Sequence, residues 1–219
     1  MRTAVIFDLD GTLLNTLDDL HASVNNTLEK FGYPQRSLAE VRSFVGNGVP
    51  MLIRRALPAD ASEEDFCNAL EYFKEYYKVH CDDRTKPYPG ICEALAQLKA
   101  DGYPIGVVTN KVDNATKILC EKHFGELVDI ALGQNGQFQV KPDPESLFYV
   151  KKYLCAETVI YVGDSEVDIL TAENAGARCV SVSWGFKDRE FLLAAGAQII
   201  ADTPKQMTDC IYNILNGVL

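Results

Sequence analysis

The chain has 219 residues, 47% hydrophobic and 24% charged, with a formal net charge of −10. That length accommodates one α/β domain plus a smaller accessory unit, and the composition is that of a globular protein. Acidity spread along the chain excludes a broad nucleic-acid or membrane-binding face, so a small anionic ligand needs a focused positive pocket.

The first predicted strand, "TAVIFD" (3–8), runs straight into Asp8, Leu9, Asp10 and Gly11. Two carboxylates at the mouth of a buried strand repel by roughly 4 kcal/mol at the effective dielectric of a protein surface. A cation, a proton or a lysine must offset them. From about Asn15 to Arg84 no strand pattern follows, only helical ones: "TLDDLHASVNNTLEKFG" with its stop at Gly32, "VPMLIRRAL" and "SEEDFCNALEYFKEYYKVH". The polar segment "DDRTKPYPG" (82–90) reads as the return linker, with a second crossing near Gly11–Leu17. The expected organisation is a helical domain over 15–83 inserted into an α/β core formed by 1–14 and 84–219.

Beyond the linker, "GICEALAQLKADG" is a helix closed by Gly102, and strands are predicted at "YPIGVVTN" (103–110) and "LVDIAL" (127–132). "DPESLFYVKKYL" opens as a helix with proline in its first turn. "TVIYVGD" (158–164), "RCVSVSW" (178–184) and "AQIIAD" (197–202) complete the strands. Apolar strands alternating with helices predict an open parallel sheet flanked by helices, a Rossmann-like α/β core, beside a small all-α domain. The seven cysteines (67, 81, 92, 120, 155, 179, 210) include no CxxC pair and read as reduced thiols. The first strand starts within a few residues of Met1, and no apolar run is long enough to span a bilayer, so a cytoplasmic protein is expected.

In open parallel sheets, ligands sit beyond the carboxyl ends of the strands. The residues ending these strands are therefore the informative ones. Asp8 and Asp10 end the first, Thr109 and Asn110 the second, and Asp164, with Asp168 one helical turn later, the fourth. Lys141 opens "KPDPE" just before a helix. Each has an ordinary structural role when taken alone, as turn former, helix cap or solvated lysine. Together, four carboxylates, a lysine and a hydroxyl at one sheet edge suit oxygen-ligated Mg²⁺ at a phosphoryl group. Zinc is disfavoured, because no histidine or cysteine ends these strands.

In order, "FDLDGTL", "VVTN", "KPDPE" and "GDSEVDI" resemble the four motifs of the haloacid dehalogenase-like hydrolase superfamily, and the helical insert resembles the α-helical cap of its phosphatases. "FVGNGVPMLIRRAL", "YPGICEALAQLKADGYPIGVVTNK" and "VSWGF" are similar to the phosphoglycolate phosphatase subgroup. The resemblance implies Asp8 as nucleophile and Asp10 as general acid and then base. It further implies Mg²⁺ at Asp8, Asp164 and Asp168 with the Asp10 carbonyl, and Lys141 as a second positive charge orienting Asp8. Thr109, Lys141 and the amides of Leu9, Asp10 and Asn110 would bind the phosphoryl oxygens. Dehalogenases lack the second acid, so Asp10 favours phosphoryl chemistry. Cap lysines at 30, 74 and 78 give little support to a phosphonate-cleaving reading, and Val49 stands where sugar-phosphate mutases carry an arginine. Asn15 replaces an aspartate common at the cap entrance.

For the leaving group, the resemblance points to Gly46, Asn47 and Gly48 with Arg42 and Arg54. The expected partner is a small phosphorylated metabolite, phosphoglycolate first, with no nucleic acid and no membrane, handled by a monomer or homodimer. Pyrophosphate, a nucleoside monophosphate or a sugar phosphate, a β-phosphoglucomutase-like activity, and a non-catalytic phosphate-binding protein are the alternatives.

Overall fold

Side-chain alternation along β1 (Thr3–Phe7) sends Val5 and Phe7 to one face of a sheet and Ala4 and Ile6 to the other, and all four are fully buried. A strand buried on both faces is the expected centre of a covered parallel sheet. In the computed structural model, which describes residues 2–218, β1 occupies that position.

After β1 come β2 (Leu14–Asn15), the helices α1 (Leu17–Lys30), α2 (Leu38–Phe44), α3 (Gly48–Ala56) and α4 (Glu63–His80), and β3 (Lys86–Pro87). The core continues through α5 (Ile91–Ala100), β4 (Ile105–Val112), α6 (Asp113–Phe124), β5 (Ile130–Gln134) and α7 (Glu145–Tyr153). It ends with β6 (Thr158–Gly163), α8 (Glu166–Asn174), β7 (Arg178–Val182), α9 (Arg189–Ala194), β8 (Ile200–Ala201) and α10 (Pro204–Leu215). The six strands β5-β4-β1-β6-β7-β8 form one sheet, and every pairing in it is parallel. Leu95 of α5, Leu119 of α6 and Met207 of α10 pack with Val5 and Phe7 on one face. Leu147 and Val150 of α7 and Ala172 of α8 pack with Ala4 and Ile6 on the other.

All six strands anticipated in the sequence belong to this sheet; β7 and β8 are shorter than expected, and β5 and β4 are displaced. β5 begins at Ile130 because 125–127 form a 3-10 turn, and β4 continues to Val112 through a register shift after Val108. Thr109 and Asn110, expected as the last residues of this strand, are thus followed by two more strand residues, Lys111 and Val112. The β2–β3 antiparallel pair, Leu14 with Pro87 and Asn15 with Lys86, falls in segments that pattern reading gave as crossings. Two residues per strand are too few for a periodic signal.

α1–α4 enclose a cluster of their own that includes Leu20, Val24, Val41, Leu52, Phe73 and Tyr77. Capping boxes at Ser37/Glu40 and Ser62/Asp65 start α2 and α4. Among the described residues no helix is long and apolar enough to cross a membrane, and all seven cysteines are free thiols.

Where the insert returns to the core, the buried carboxylate of Asp19 in α1 accepts hydrogen bonds from the backbone amides of Arg84 (3.0 Å) and Thr85 (2.8 Å) and from the Thr85 hydroxyl (2.7 Å). It ties the outgoing and incoming chains together without a cationic partner. Asp19→Ala strands those donors, and a stability loss of roughly 2–3 kcal/mol is expected in urea denaturation. An unchanged midpoint removes Asp19 from this tie.

Candidate active site

At the carboxyl ends of β1 and β6, Asp8, Asp164 and, in the first turn of α8, Asp168 bring one oxygen each within 4.8 Å of one another, all buried. Lys141 lies among them. Its ammonium donates to Asp8 Oδ1 (2.8 Å), Asp168 Oδ1 (2.7 Å) and the Tyr161 hydroxyl (2.9 Å), and that hydroxyl in turn donates to the Val108 carbonyl (3.0 Å). The three donors of the –NH₃⁺ group are thereby used, which fixes its direction.

The Lys141 backbone is held as firmly as its head. Asn110 Oδ1 accepts from the Lys141 amide (2.7 Å) while its Nδ2 donates to the Lys141 carbonyl and to the Gly46 carbonyl of the insert, both at 3.1 Å. The Asn110 side chain is therefore a clamp on the Lys141 loop. Asp168 stands at the third position of α8, where its Oδ2 accepts from the Ser165 amide (3.1 Å) and hydroxyl (2.6 Å). Asp164 accepts from the Thr12 hydroxyl (3.2 Å) and the Phe186 amide (2.6 Å). Gly11, at φ +85°, is required here on two counts: the left-handed backbone and the Asp164 carboxylate, onto which a Cβ would fall.

Burial raises Asp8 to about 6, Lys141 opposing this and Asp168 adding to it. Burial, then the carboxylates of Asp168 and Asp8, push Asp164 well above the usual carboxylate range. Burial alone would lower the Lys141 ammonium, yet Asp168 and Asp8 outweigh it and hold the group far above its ordinary value.

Asp10 turns away from this cluster. Its carboxylate accepts from Lys111 Nζ (2.9 and 3.2 Å), which also donates to the hydroxyl of Tyr77 in α4 (2.5 Å). Four carboxylates against the two ammonium groups of Lys141 and Lys111 leave a formal excess of two negative charges. That excess, an all-oxygen donor set and the spacing of Asp8, Asp164 and Asp168 fit one hard divalent cation such as Mg²⁺.

Asp8, Asp10, Thr109, Asn110, Lys141 and Asp164 line one small cavity of about 50 Å³ under the insert, while Asp168 supports it from behind through Lys141. Leu9 contributes backbone only, since its side chain is in the core. Of the five insert residues expected at the leaving group, Gly46 and Gly48 line the cavity. The other three have different partners. Arg42 donates to the Gly185 and Phe186 carbonyls (2.7 Å each). Arg54 pairs with Glu63 (2.7 Å) and covers the Phe66 ring, and Asn47 accepts from Arg55 (2.8 Å). Both arginines find their partners on other elements, Arg42 on the core turn and Arg54 on α4, which sequence position does not disclose.

Lys111, Tyr77, Tyr161 and the Gly185–Phe186 turn belong to the site without standing at an expected strand end. For Lys111 a signal existed: strand alternation puts it on the side of Thr109 two residues earlier. The other three depend on tertiary contacts.

A family model described as haloacid dehalogenase-like hydrolase matches residues 5–182. A phosphoglycolate phosphatase of Cereibacter sphaeroides is 41% identical over 188 residues, covering 84% of this chain and 86% of that protein. Another, from Pseudomonas fluorescens, is 35% identical over 223 residues, covering 98% of this chain and 79% of that one. A crystal structure from Lactobacillus delbrueckii subsp. bulgaricus superposes with a TM-score of 0.91 at 32% identity, covering 95% of this chain and 97% of that chain. On the family match over most of its length and these relatives, this chain belongs to the haloacid dehalogenase-like hydrolases.

Proposed function

We propose that this enzyme hydrolyses a small phosphate monoester, phosphoglycolate, through an aspartyl phosphate on Asp8. The observation carrying this reading is the grouping of Asp8, Asp164 and Asp168 around Lys141, with Asp10 two residues from Asp8 on the side of the insert. The names of the relatives support the substrate. In this reading residues 15–83 cover the site and the rest of the chain supplies the catalytic core.

Lys141 holds Asp8 Oδ1, which presents Oδ2 for attack on phosphorus. The new bond to Asp8 forms as the bond from phosphorus to the leaving oxygen breaks, and Asp10 gives that oxygen its proton. Asp10 then takes a proton from water, whose oxygen attacks the phosphoryl group and releases phosphate and the free Asp8 carboxylate. Thr109 and the backbone at Leu9, Asp10 and Asn110 form the rim that receives the phosphoryl oxygens, with Lys141 as their fixed positive charge. Asp8, Asp164 and Asp168 would hold Mg²⁺, which supplies positive charge against the phosphoryl oxygens when bound.

Asp8→Asn is expected to lower kcat on an aryl phosphate by at least about 10⁴-fold with an unchanged circular dichroism spectrum. Turnover close to wild type rules Asp8 out as nucleophile. Asp10→Asn should cost about 10²–10⁴-fold, and more for an alkyl than for a nitrophenyl leaving group, because a good leaving group needs no proton. Equal losses on both esters assign the acid role elsewhere.

Metal binding depends on pH through Asp8, whose carboxyl burial raises to about 6. A cation binds the ionised form, so Mg²⁺ affinity falls as pH drops through that value. Between pH 7 and pH 5 the loss from this group alone is about tenfold, measurable by calorimetry with proton release. A pH-independent affinity counts against Asp8 as a ligand.

A further inference from the structure

Resting on the reading above that the substrate bears a carboxylate, we propose that Lys111 is the specificity residue that binds this group, with Tyr77 of the insert positioning it.

A carboxylate taken under the insert loses water and needs a cation or several donors in return. The insert brings no cation into the cavity: its walls there are Leu20, Val45, Gly46, Gly48, Val49 and Leu52, with the Tyr77 hydroxyl as the one polar side chain among its lining residues. Arg42 and Arg54 are engaged elsewhere, as is Arg55, which donates to the Phe44 carbonyl (2.8 Å) and to Asn47. Three lysines of the core remain along the lining. Lys141 has all its donors committed to Asp8, Asp168 and Tyr161. Lys187 is half-buried and sets its ammonium over the Phe191 ring, 5.0 Å from the centroid.

Lys111 is different. It is buried, it lies beside Asp10, and Asp10 marks the side on which the leaving oxygen departs. Its ammonium meets two partners only, Tyr77 and both oxygens of Asp10 (2.9 and 3.2 Å), so giving up the longer Asp10 contact frees one donor for a ligand while both partners stay bound. The first turn of α3 at Gly48 and Val49 lines the facing wall and adds the positive end of its dipole. A two-carbon acid lying between Asp8 and Lys111 would set its ester oxygen toward Asp10 and its carboxylate toward the cation. The chain thus recognises the far end of its substrate from the core strand β4, and the insert contributes the hydroxyl that directs the ammonium.

The test compares kcat/KM for 2-phosphoglycolate with that for ethyl phosphate, whose leaving group has the same length and no carboxylate. Wild type should prefer phosphoglycolate by about a hundredfold, and Lys111→Met should erase most of that preference through KM for phosphoglycolate. A Lys111→Met enzyme that slows on both esters alike and keeps the preference overturns the assignment, since Lys111 then acts through Asp10 alone. If wild type shows no preference, the substrate reading itself fails and the assignment falls with it. Should Lys111→Met not fold, Tyr77→Phe decides. It keeps the ring and removes the hydroxyl, and the preference should fall by about three- to tenfold. An unaltered preference in that variant is a refutation.

Discussion

The structure depends on one buried ammonium group. Lys141 sits between Asp8 and Asp168 and turns three mutually repelling carboxylates at a sheet edge into a site that folds. Removing one member of a buried ionic cluster costs about 3–5 kcal/mol, because the remaining charges are left dry and unpaired. Its neighbours follow from that requirement. Tyr161, on the central strand β6, supplies the third acceptor, and Asn110 fastens the lysine backbone at both its amide and its carbonyl. Asp168 is held by the start of α8 in turn. Fold stability and phosphoryl chemistry thus draw on the same contacts.

The sheet supplies the geometry these contacts need. β1, β4 and β6 are adjacent and parallel, so their carboxyl ends deliver Asp8, Thr109 and Asp164 to one edge from three distant parts of the sequence. The insert closes that edge from above, and its polar ties to the core beside the site are Gly46 with Asn110, Tyr77 with Lys111, and Arg42 with the Gly185–Phe186 turn. Most of the remaining cover is apolar, which excludes water from a reaction whose electrostatics need a dry site.

Much of this architecture is legible in the sequence, for a physical reason. Strands buried on both faces must be continuous apolar runs, and the residue that stops such a run stands at the sheet edge, so "TAVIFD" and "TVIYVGD" announce both a strand and a site. The insert announces itself equally, by helical periodicity where a strand is due. What stays hidden is where long side chains go. Arg42 and Arg54 sit in the segment nearest the site, yet one grips two carbonyls and the other a glutamate, because a guanidinium reaches whatever acceptor is close in space. Lys111 is concealed for the opposite reason. It stands one residue beyond a recognisable strand end, and only the extension of β4 to Val112 puts it inside the cavity.

The grip of Arg42 has a mechanical consequence. The two carbonyls it holds belong to Gly185 and Phe186, and the Phe186 amide is the donor that steadies Asp164. Swinging the helical unit outward therefore strips two charge-assisted bonds from the turn that shapes one of the acids. One guanidinium thus joins the helical unit to the turn that positions an acid of the site.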